Sequence, residues 1–312
     1  MAGTVSSVNA MISNLAGKAK ARQEIELETL QAYAHARGFD DDIEVFDVEY
    51  FQRKQRRTIL GKSDEDLRDF FPLPKVLDGV FTLCGKLFDV SFCEISDGWS
   101  KWHPDVKLFE VSKNGQKLGA FYLDAFIRDE KGYAGGDKGW YVPIRPRSEA
   151  SKTAPLGALV MSLSPPNYGK PSLLNFFEVK ELLRNFGSLL QHLLCENEFS
   201  DTCGKIGLEW DALDFVSNFM AEWAYHPDVI RLVSGHWSSS ETLSEEIVGH
   251  LSTSIKQHMA GYHLCNDLFR AAFDIAFYSD EAESYIDVEE NLRKQYLLLP
   301  KINGDVSPLY LR

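Results

Sequence analysis

Cysteine pairing motifs are absent from this sequence. Its five cysteines are scattered over 312 residues, and no two of them form a Cys-x-x-Cys pair. An odd number of cysteines without the spacing of a disulfide framework predicts free thiols in a reducing compartment. Cys203 has a histidine nearby in the sequence, His192, but no Asn or Asp follows at a recognised spacing. We therefore expect no catalysis by a thiol nucleophile.

Long hydrophobic runs are absent as well. No stretch approaches the ~18 consecutive apolar residues that a membrane-spanning helix needs, and the N-terminus lacks the apolar core of a secretory signal. The predicted location is therefore the cytoplasm. No acidic residue precedes Glu24, while Lys18, Lys20 and Arg22 lie before it, so a mitochondrial transit segment is the second interpretation.

Positive charge is scarce. The chain has 33 Lys and Arg against 46 Asp and Glu, which gives a net charge of -13. Such a charge argues against general affinity for nucleic acid or for anionic membranes. The basic run RKQRR at residues 53–57 is typical of a solvated helix face. We therefore expect neither nucleic acid nor a membrane as a partner.

A phosphate-binding loop is also missing. The glycine-rich stretch KGYAGGDKGW at residues 131–140 lacks both the Gly-x-Gly-x-x-Gly pattern and a Gly-Lys-Ser/Thr pattern between a strand and a helix. It therefore predicts a plain connection. If this loop covers the neighbouring strand, it protects a sheet edge.

Apolar residues are plentiful, and their spacing predicts the fold. Residues 1–90 favour helices, residues 91–165 favour short strands, and residues 173–312 favour helices again. Asn114-Gly115 predicts a tight hairpin between two of the strands. Within the last segment we predict helices over 175–196, 209–224, 244–279 and 281–297. This order predicts a single domain over 1–312 with a mostly helical α+β fold.

Five longer stretches carry a family resemblance. They are FFPLPKVLDGVF, WHPDVKLFEV, GAFYLDAF, SPPNYGKPSLLNFFEVKELLRNFGSLLQHLL and GLEWDALDFVSNFMAEWAYHPDVIRLVS. In them the chain resembles the thimet-oligopeptidase-like zinc metallopeptidases, of the oligopeptidase A and neurolysin type. The resemblance implies a zincin-like core in which a small sheet packs with helices. It also implies a shortened homologue, because the family extends beyond this segment at both ends.

The resemblance assigns the metal-site positions. In the family, a His-Glu-x-x-His helix supplies two zinc ligands and the general base, and a glutamate on the next helix supplies the third ligand. Here Arg184 takes the place of the first histidine and Asn185 that of the base. Ser188 takes the place of the second histidine, and Asp214 that of the third ligand.

These side chains are poor zinc ligands. A catalytic zinc usually needs three protein ligands and an open position for water, but the guanidinium of Arg184 stays charged and repels a dication. Asn185 cannot accept a proton as a general base. We therefore expect no catalytic residue, no metal and no cofactor, although the family uses zinc. A second metal arrangement, with Asp214 and either Glu178 or Glu181, stays open.

Two contacts would give such a chain another use. We expect an ion pair between Arg184 and Asp214, which would join two helices where the family has its metal; the alternative is that both side chains face solvent.

In the family an edge strand of the small sheet pairs with bound peptide. The residues at this strand are Gly119, Ala120, Phe121 and Tyr122, and they predict a peptide-binding strand.

The predicted function is that of a non-catalytic homologue, or pseudoenzyme, that binds a peptide or a protein partner. The first alternative is a metalloendopeptidase of the oligopeptidase family that retains some metal binding and peptide hydrolysis. The second is a fragment without an independent function. An apolar surface where the family's further helices would pack would indicate a partner or an oligomer interface.

Overall fold

The computed structural model describes residues 3–131, 139–279 and 284–302. They fall into two compact units, one formed by residues up to 61 together with those from 253 onward, the other by residues 62–252. The prediction of a mostly helical α+β fold with one small sheet is confirmed. A single domain over 1–312 and a zincin-like core stay predictions. None of the helices in the described ranges combines the length and the apolar character needed to cross a bilayer.

The helices and strands are numbered in chain order. The α-helices are α1 (Val5–His35), α2 (Val45–Leu60), α3 (Asp64–Arg68), α4 (Leu73–Phe88), α5 (Phe176–Leu193), α6 (Phe215–Glu222), α7 (Pro227–Val233), α8 (Glu245–Gly249), α9 (Ala260–Phe277) and α10 (Tyr285–Tyr296). The strands are β1 (Val90–Ile95), β2 (Lys107–Lys113), β3 (Gln116–Phe126), β4 (Gly139–Arg145) and β5 (Leu156–Leu163).

In the first unit, α1 packs along α9. Gly261 permits a close approach, because a Cβ atom there would lie only 2.7 Å from the backbone nitrogen of Gln23. Glu26 on α1 accepts a hydrogen bond of 3.0 Å from the backbone N–H of Tyr262, which satisfies one of the unpaired donors at the start of α9. The core between these helices contains Ile12, Ala19, Cys265, Leu268, Phe269 and Ala272.

The predicted continuous helix over 244–279 is wrong. α8 ends at Gly249, a π-helical segment covers His250–Ile255, and α9 begins only at Ala260. Met259 has a φ of 55°, and a residue in this left-handed conformation interrupts a right-handed helix. The helix predicted over 209–224 is too long, because α6 covers only Phe215–Glu222 and 3-10 turns flank it. The predicted start at 281 lies outside the described residues.

In the second unit, the five strands form one sheet in the order β1-β2-β3-β5-β4. β3 and β5 are parallel, and the other neighbouring pairs are antiparallel. The predicted hairpin is confirmed, because Asn114 and Gly115 have φ values of 52° and 74° between β2 and β3, as a two-residue hairpin turn requires. β4 was not predicted from the sequence.

An aromatic cluster joins the sheet to α5. Phe186 is fully buried at its centre, with ring centroids 5.7 Å from those of Phe92 and Phe121 and 6.0 Å from that of Phe81. Aromatic pairs at these separations add to the stabilisation that burial itself gives. Buried leucines continue the same face of α5: Leu182, Leu183, Leu189 and Leu190. The helix is therefore fixed on the sheet.

A buried ion cluster holds the end of β3. Arg128 donates hydrogen bonds of 2.6 and 2.8 Å to the two carboxylate oxygens of Asp124. Trp102 Nε1 donates another of 2.8 Å, and Lys131 Nζ lies 3.1 Å from Oδ1. Burial raises the pKa of Asp124, but the hydrogen bonds from Arg128, Trp102 and Lys131 outweigh it and lower the pKa to about 2. The carboxylate is thus ionised at neutral pH although it is buried.

Candidate functional site

The helices α5 and α6 carry the positions assigned by resemblance. Asn175 caps α5 by accepting a hydrogen bond from the backbone N–H of Glu178, which fixes where the helix begins. Gly187 allows α6 to approach, because a Cβ atom there would lie 2.8 Å from the carbonyl oxygen of Val216 and 2.9 Å from the Cβ of Met220. Asp214 directly precedes α6. The close contact of the helices brings the four positions into one region.

Asp214 lies among cations. Arg184 Nη2 is 3.5 Å from Asp214 Oδ2, and Lys205 Nζ is 3.1 Å from Asp214 Oδ1. The side chains of Arg184 and Asp214 are 41% and 57% exposed. Opposite charges are therefore close at this point, but water reaches them. An exposed pair of this kind contributes only about 0.2–1 kcal/mol, and the larger cost of breaking a buried pair does not apply.

Ser188 is turned inward. Its side chain is buried, and its Oγ lies 2.6 Å from the Oγ of Ser217 on α6. Asn185, one turn earlier, donates from Nδ2 to the carbonyl oxygen of Glu181 at 2.9 Å. Both polar side chains thus make hydrogen bonds within the protein. The Ser188 hydroxyl links α5 to α6 at the position that the resemblance assigns to the second histidine.

These residues do not fit a zinc ion. The four positions offer one carboxylate, on Asp214, which already faces two cations. The alternative ligand Glu178 is buried and accepts hydrogen bonds from Arg68 Nη1 at 3.1 Å and from the backbone N–H of Asn175 at 2.9 Å. In the described ranges no three His, Cys, Asp or Glu side chains come together as a metal site. The chemistry of the donors therefore argues against a bound metal.

The predicted peptide-binding strand is wrong in its topology. β3 lies inside the sheet, between β2 and β5. Ala120, Phe121 and Tyr122 each pair with residues of β2 on one side and of β5 on the other, and Gly119 pairs with Val111 of β2. A peptide cannot add to a strand whose edges are both occupied. The loop over 131–139 was expected to cover this edge, and all of it except Lys131 and Gly139 lies outside the described residues.

Sequence reasoning missed an exposed aromatic surface beside Asp214. Trp210 is 91% and Phe215 75% exposed, and Phe219 is partly exposed on the same side. They border a cavity of about 580 Å³. The residues that line it are Trp210, Asp211, Asp214, Phe215, Asn218, Phe219 and Glu222. The spacing of Phe215 and Phe219 places them on one side of α6, but only the structure shows that the buried side is formed by Ser217, Met220 and Ala221 instead.

The whole chain has relatives among known peptidases. Residues 1–312 match peptidase family M3. Oligopeptidase A of Escherichia coli (strain K12) is 29% identical over 308 residues, which cover 96% of this chain and 44% of the relative. Organellar oligopeptidase A, chloroplastic/mitochondrial, of Arabidopsis thaliana is 29% identical over 90% of this chain and 36% of its own. Dipeptidyl carboxypeptidase of Escherichia coli (strain K12) is 27% identical over 93% of this chain and 42% of the relative. The chain thus spans less than half the length of each relative.

Proposed function

The chain belongs to peptidase family M3, and we propose that it is a non-catalytic member that binds a peptide segment. The observation that carries the loss of catalysis is the contact of Ser188 with Ser217, at 2.6 Å in a buried position. Zinc-dependent hydrolysis needs three ligands and a general base. At the corresponding positions this chain has an arginine, an amide, a buried hydroxyl and one carboxylate.

The surface formed by Trp210, Phe215 and Phe219, here called the aromatic surface, is the proposed binding site. Exposed aromatic side chains of this size are typical anchors of protein interfaces. They surround a cavity large enough for the side chains of a peptide. Since both edges of β3 are occupied, this surface replaces the strand as the proposed site.

The charges around the aromatic surface define the partner. Asp211, Asp214 and Glu222 line the same cavity and carry three negative charges, of which that of Asp214 is offset by Lys205 and Arg184. A negatively charged rim favours a positively charged ligand, both in approach and in orientation. We therefore propose that the occupant is a peptide segment with an apolar anchor and flanking Lys or Arg residues.

The five cysteines support an inference about location. All of them are free thiols, as is typical of proteins in a reducing compartment. We infer the cytosol, and imaging of the tagged protein in its own cells tests it. Retention inside an organelle would contradict the inference.

The absence of catalysis is tested first, by the zinc content of the purified, dialysed chain and by its activity on quenched fluorescent peptides. We expect no zinc above the dialysis blank and no hydrolysis. Oligopeptidase A of Escherichia coli, assayed in parallel, shows that the peptides can be cleaved. Close to one zinc per chain, together with hydrolysis that a chelator stops, would overturn the proposal and restore the enzymatic alternative.

Binding is tested by fluorescence anisotropy with two labelled peptides that share a leucine anchor and differ in flanking lysines or glutamates. We expect the lysine peptide to bind more tightly and added salt to weaken it. Phe215→Ser should weaken binding about tenfold or more, as for an anchor residue. Tyr168→Ser is the matched control, because Tyr168 is 96% exposed on a loop of the same unit.

Two results would contradict the binding proposal. Equal affinity for the lysine and glutamate peptides would show that the acidic rim does not select the ligand. Sedimentation that shows a dimer, which Phe215→Ser dissociates and Tyr168→Ser does not, would assign the aromatic surface to a second copy of the chain.

A further inference from the structure

A second cavity lies at the C-terminal end of α5, away from the aromatic surface in sequence and in lining residues. Its volume is about 570 Å³. Lys86, Lys113 and Arg147 line it together with the acidic Asp89 and Glu196, and Cys195 contributes a thiol. A partly exposed thiol near a cation is the environment in which cysteines become reactive, and Arg147 is the cation whose charge acts on Cys195.

Cys195 has a second thiol beside it. Cys203 is fully buried, and Arg147 lies next to both thiols, because it lines the cavity together with Cys195 and its carbonyl oxygen is in contact with Cys203 Sγ. Each thiol also shifts the pKa of the other, as close neighbours do. The Sγ of Cys203 also lies 3.4 Å from the carbonyl oxygen of Phe199 and 3.5 Å from that of Arg147. One member of the pair thus lines an open cavity, while the other lies behind it.

The segment between the two cysteines is well held. Asn197 Nδ2 donates to the carbonyl oxygen of Thr202 at 2.7 Å, which closes the segment on itself. At its end, Gln191 Nε2 on α5 donates to the carbonyl oxygen of Gly204 at 3.3 Å. Both thiols are therefore kept near the end of α5.

The two thiols differ in acidity. Burial opposes ionisation of Cys195, but the backbone N–H groups of Asn197 and Gly204, the Cys203 thiol and the charge of Arg147 outweigh it and hold the pKa of Cys195 below its ordinary value. Burial, together with the neighbouring Cys195, raises the pKa of Cys203 to about 11. Cys195 is thus the nucleophile of the pair, and Cys203 keeps its proton.

We propose that Cys195 and Cys203 form a reversible redox pair that reacts with a hydroperoxide. The Cys195 thiolate attacks one peroxide oxygen, the O–O bond breaks, and the product is a sulfenic acid with release of hydroxide or an alkoxide. The sulfur of Cys203 then attacks the sulfur of the sulfenic acid. An S–S bond forms, and the sulfenic hydroxyl leaves with the Cys203 proton as water.

The other cysteines lack this combination. Burial raises the pKa of Cys84 to about 12, and burial also raises the pKa of Cys265. Cys93 is exposed on β1, where peroxide reaches it freely. It is therefore the matched control for the reactivity of Cys195. The proposed redox pair does not depend on the binding function proposed above.

The test is a time course with hydrogen peroxide on the purified full chain, followed by trypsin and mass spectrometry. Cleavage after Arg184 and Lys205 leaves both cysteines in one peptide, residues 185–205, so the disulfide appears as the loss of two hydrogen atoms from that peptide. We expect this loss several-fold faster than oxidation of Cys93, and its reversal by dithiothreitol.

Two variants separate the steps. In Cys203→Ser the sulfenic acid at Cys195 should persist and be trapped by dimedone, whereas in Cys195→Ser the thiol of Cys203 should stay reduced over the same time. Cys93→Ser should leave the oxidation of peptide 185–205 unchanged. Oxidation of Cys93 before this peptide loses hydrogen, or no dimedone adduct in Cys203→Ser, would overturn the proposal.

Discussion

The contact between Ser188 and Ser217 gives the sharpest test of how α5 and α6 are joined. The two hydroxyls lie 2.6 Å apart, and both side chains are buried. Replacing either serine with alanine removes one partner and leaves the other hydroxyl without it in the interior. Replacing both removes the polar groups together.

The expected magnitudes follow from this asymmetry. An unsatisfied buried polar group costs about 1–3 kcal/mol, whereas removal of both partners is often nearly neutral. We therefore expect Ser188→Ala and Ser217→Ala each to lower the free energy of unfolding by about 1–3 kcal/mol. The double variant should lose less than the sum of the two, with a coupling energy of about 0.5–3 kcal/mol.

Urea denaturation followed by tryptophan fluorescence measures the three variants against the parent chain. The slopes of the unfolding transitions must agree for the comparison to hold. Additive losses in the double variant would refute the assignment of the two hydroxyls as one buried hydrogen bond. Losses near zero in both single variants would refute the burial itself.

Three further predictions concern other contacts. Asp214→Ala should lower the unfolding free energy by no more than about 1 kcal/mol, because the carboxylate is 57% exposed. The loss should shrink as salt is added. A loss above ~3 kcal/mol, as for a buried pair, would contradict this. Gly187→Ala should destabilise the chain by about 1–3 kcal/mol, because the new Cβ would lie 2.8 Å from the carbonyl oxygen of Val216. The control Gly17→Ala, at an open helical position, should stabilise it. Thermal unfolding of both variants tests the close approach of the helices, and equal effects would refute it. Asp124 has a lowered pKa of about 2, so its contribution, on the order of 2 kcal/mol, is present above pH ~4 and lost as the pH falls towards ~2. The unfolding free energies of Asp124→Asn and the parent chain, measured at decreasing pH, should therefore converge over this pH interval. A difference in stability that stays constant would contradict the lowered pKa of Asp124.

The parts of the fold that depend on local chemistry could be predicted from the sequence. Asn114-Gly115 specifies a hairpin turn by itself, because both residues tolerate a positive φ. The spacing of Leu182, Leu183, Leu189 and Leu190 in the sequence likewise matches the side of α5 that is buried. β4 was missed because Pro143 interrupts it and a proline argues against a central strand. The proline is tolerated because β4 is the last strand of the described sheet order and pairs with β5 alone.

The parts that depend on long-range packing could not be predicted. Whether β3 is an edge or an interior strand depends on where β5 inserts, and local alternation does not contain this information. The break at Met259 depends on a single left-handed residue, which the helical pattern on both sides conceals. At the site, family resemblance gave the positions of Arg184 and Asp214, but not their exposure, which decides how much their attraction contributes.

The contact between α5 and α6 combines three kinds of interaction, and their magnitudes rank them. The ion pair of Arg184 and Asp214 is exposed and weak. The hydrogen bond of Ser188 is buried but satisfies groups that water would otherwise satisfy, so its net contribution is about 0.5–1.5 kcal/mol. The packing of Gly187 against Met220 buries apolar surface along the helices, and apolar burial is the dominant favourable term in folding. The two helices are therefore held together by packing, and the polar contacts fix their alignment. This ranking explains how α5 and α6 stay aligned through residues that do not suit a metal.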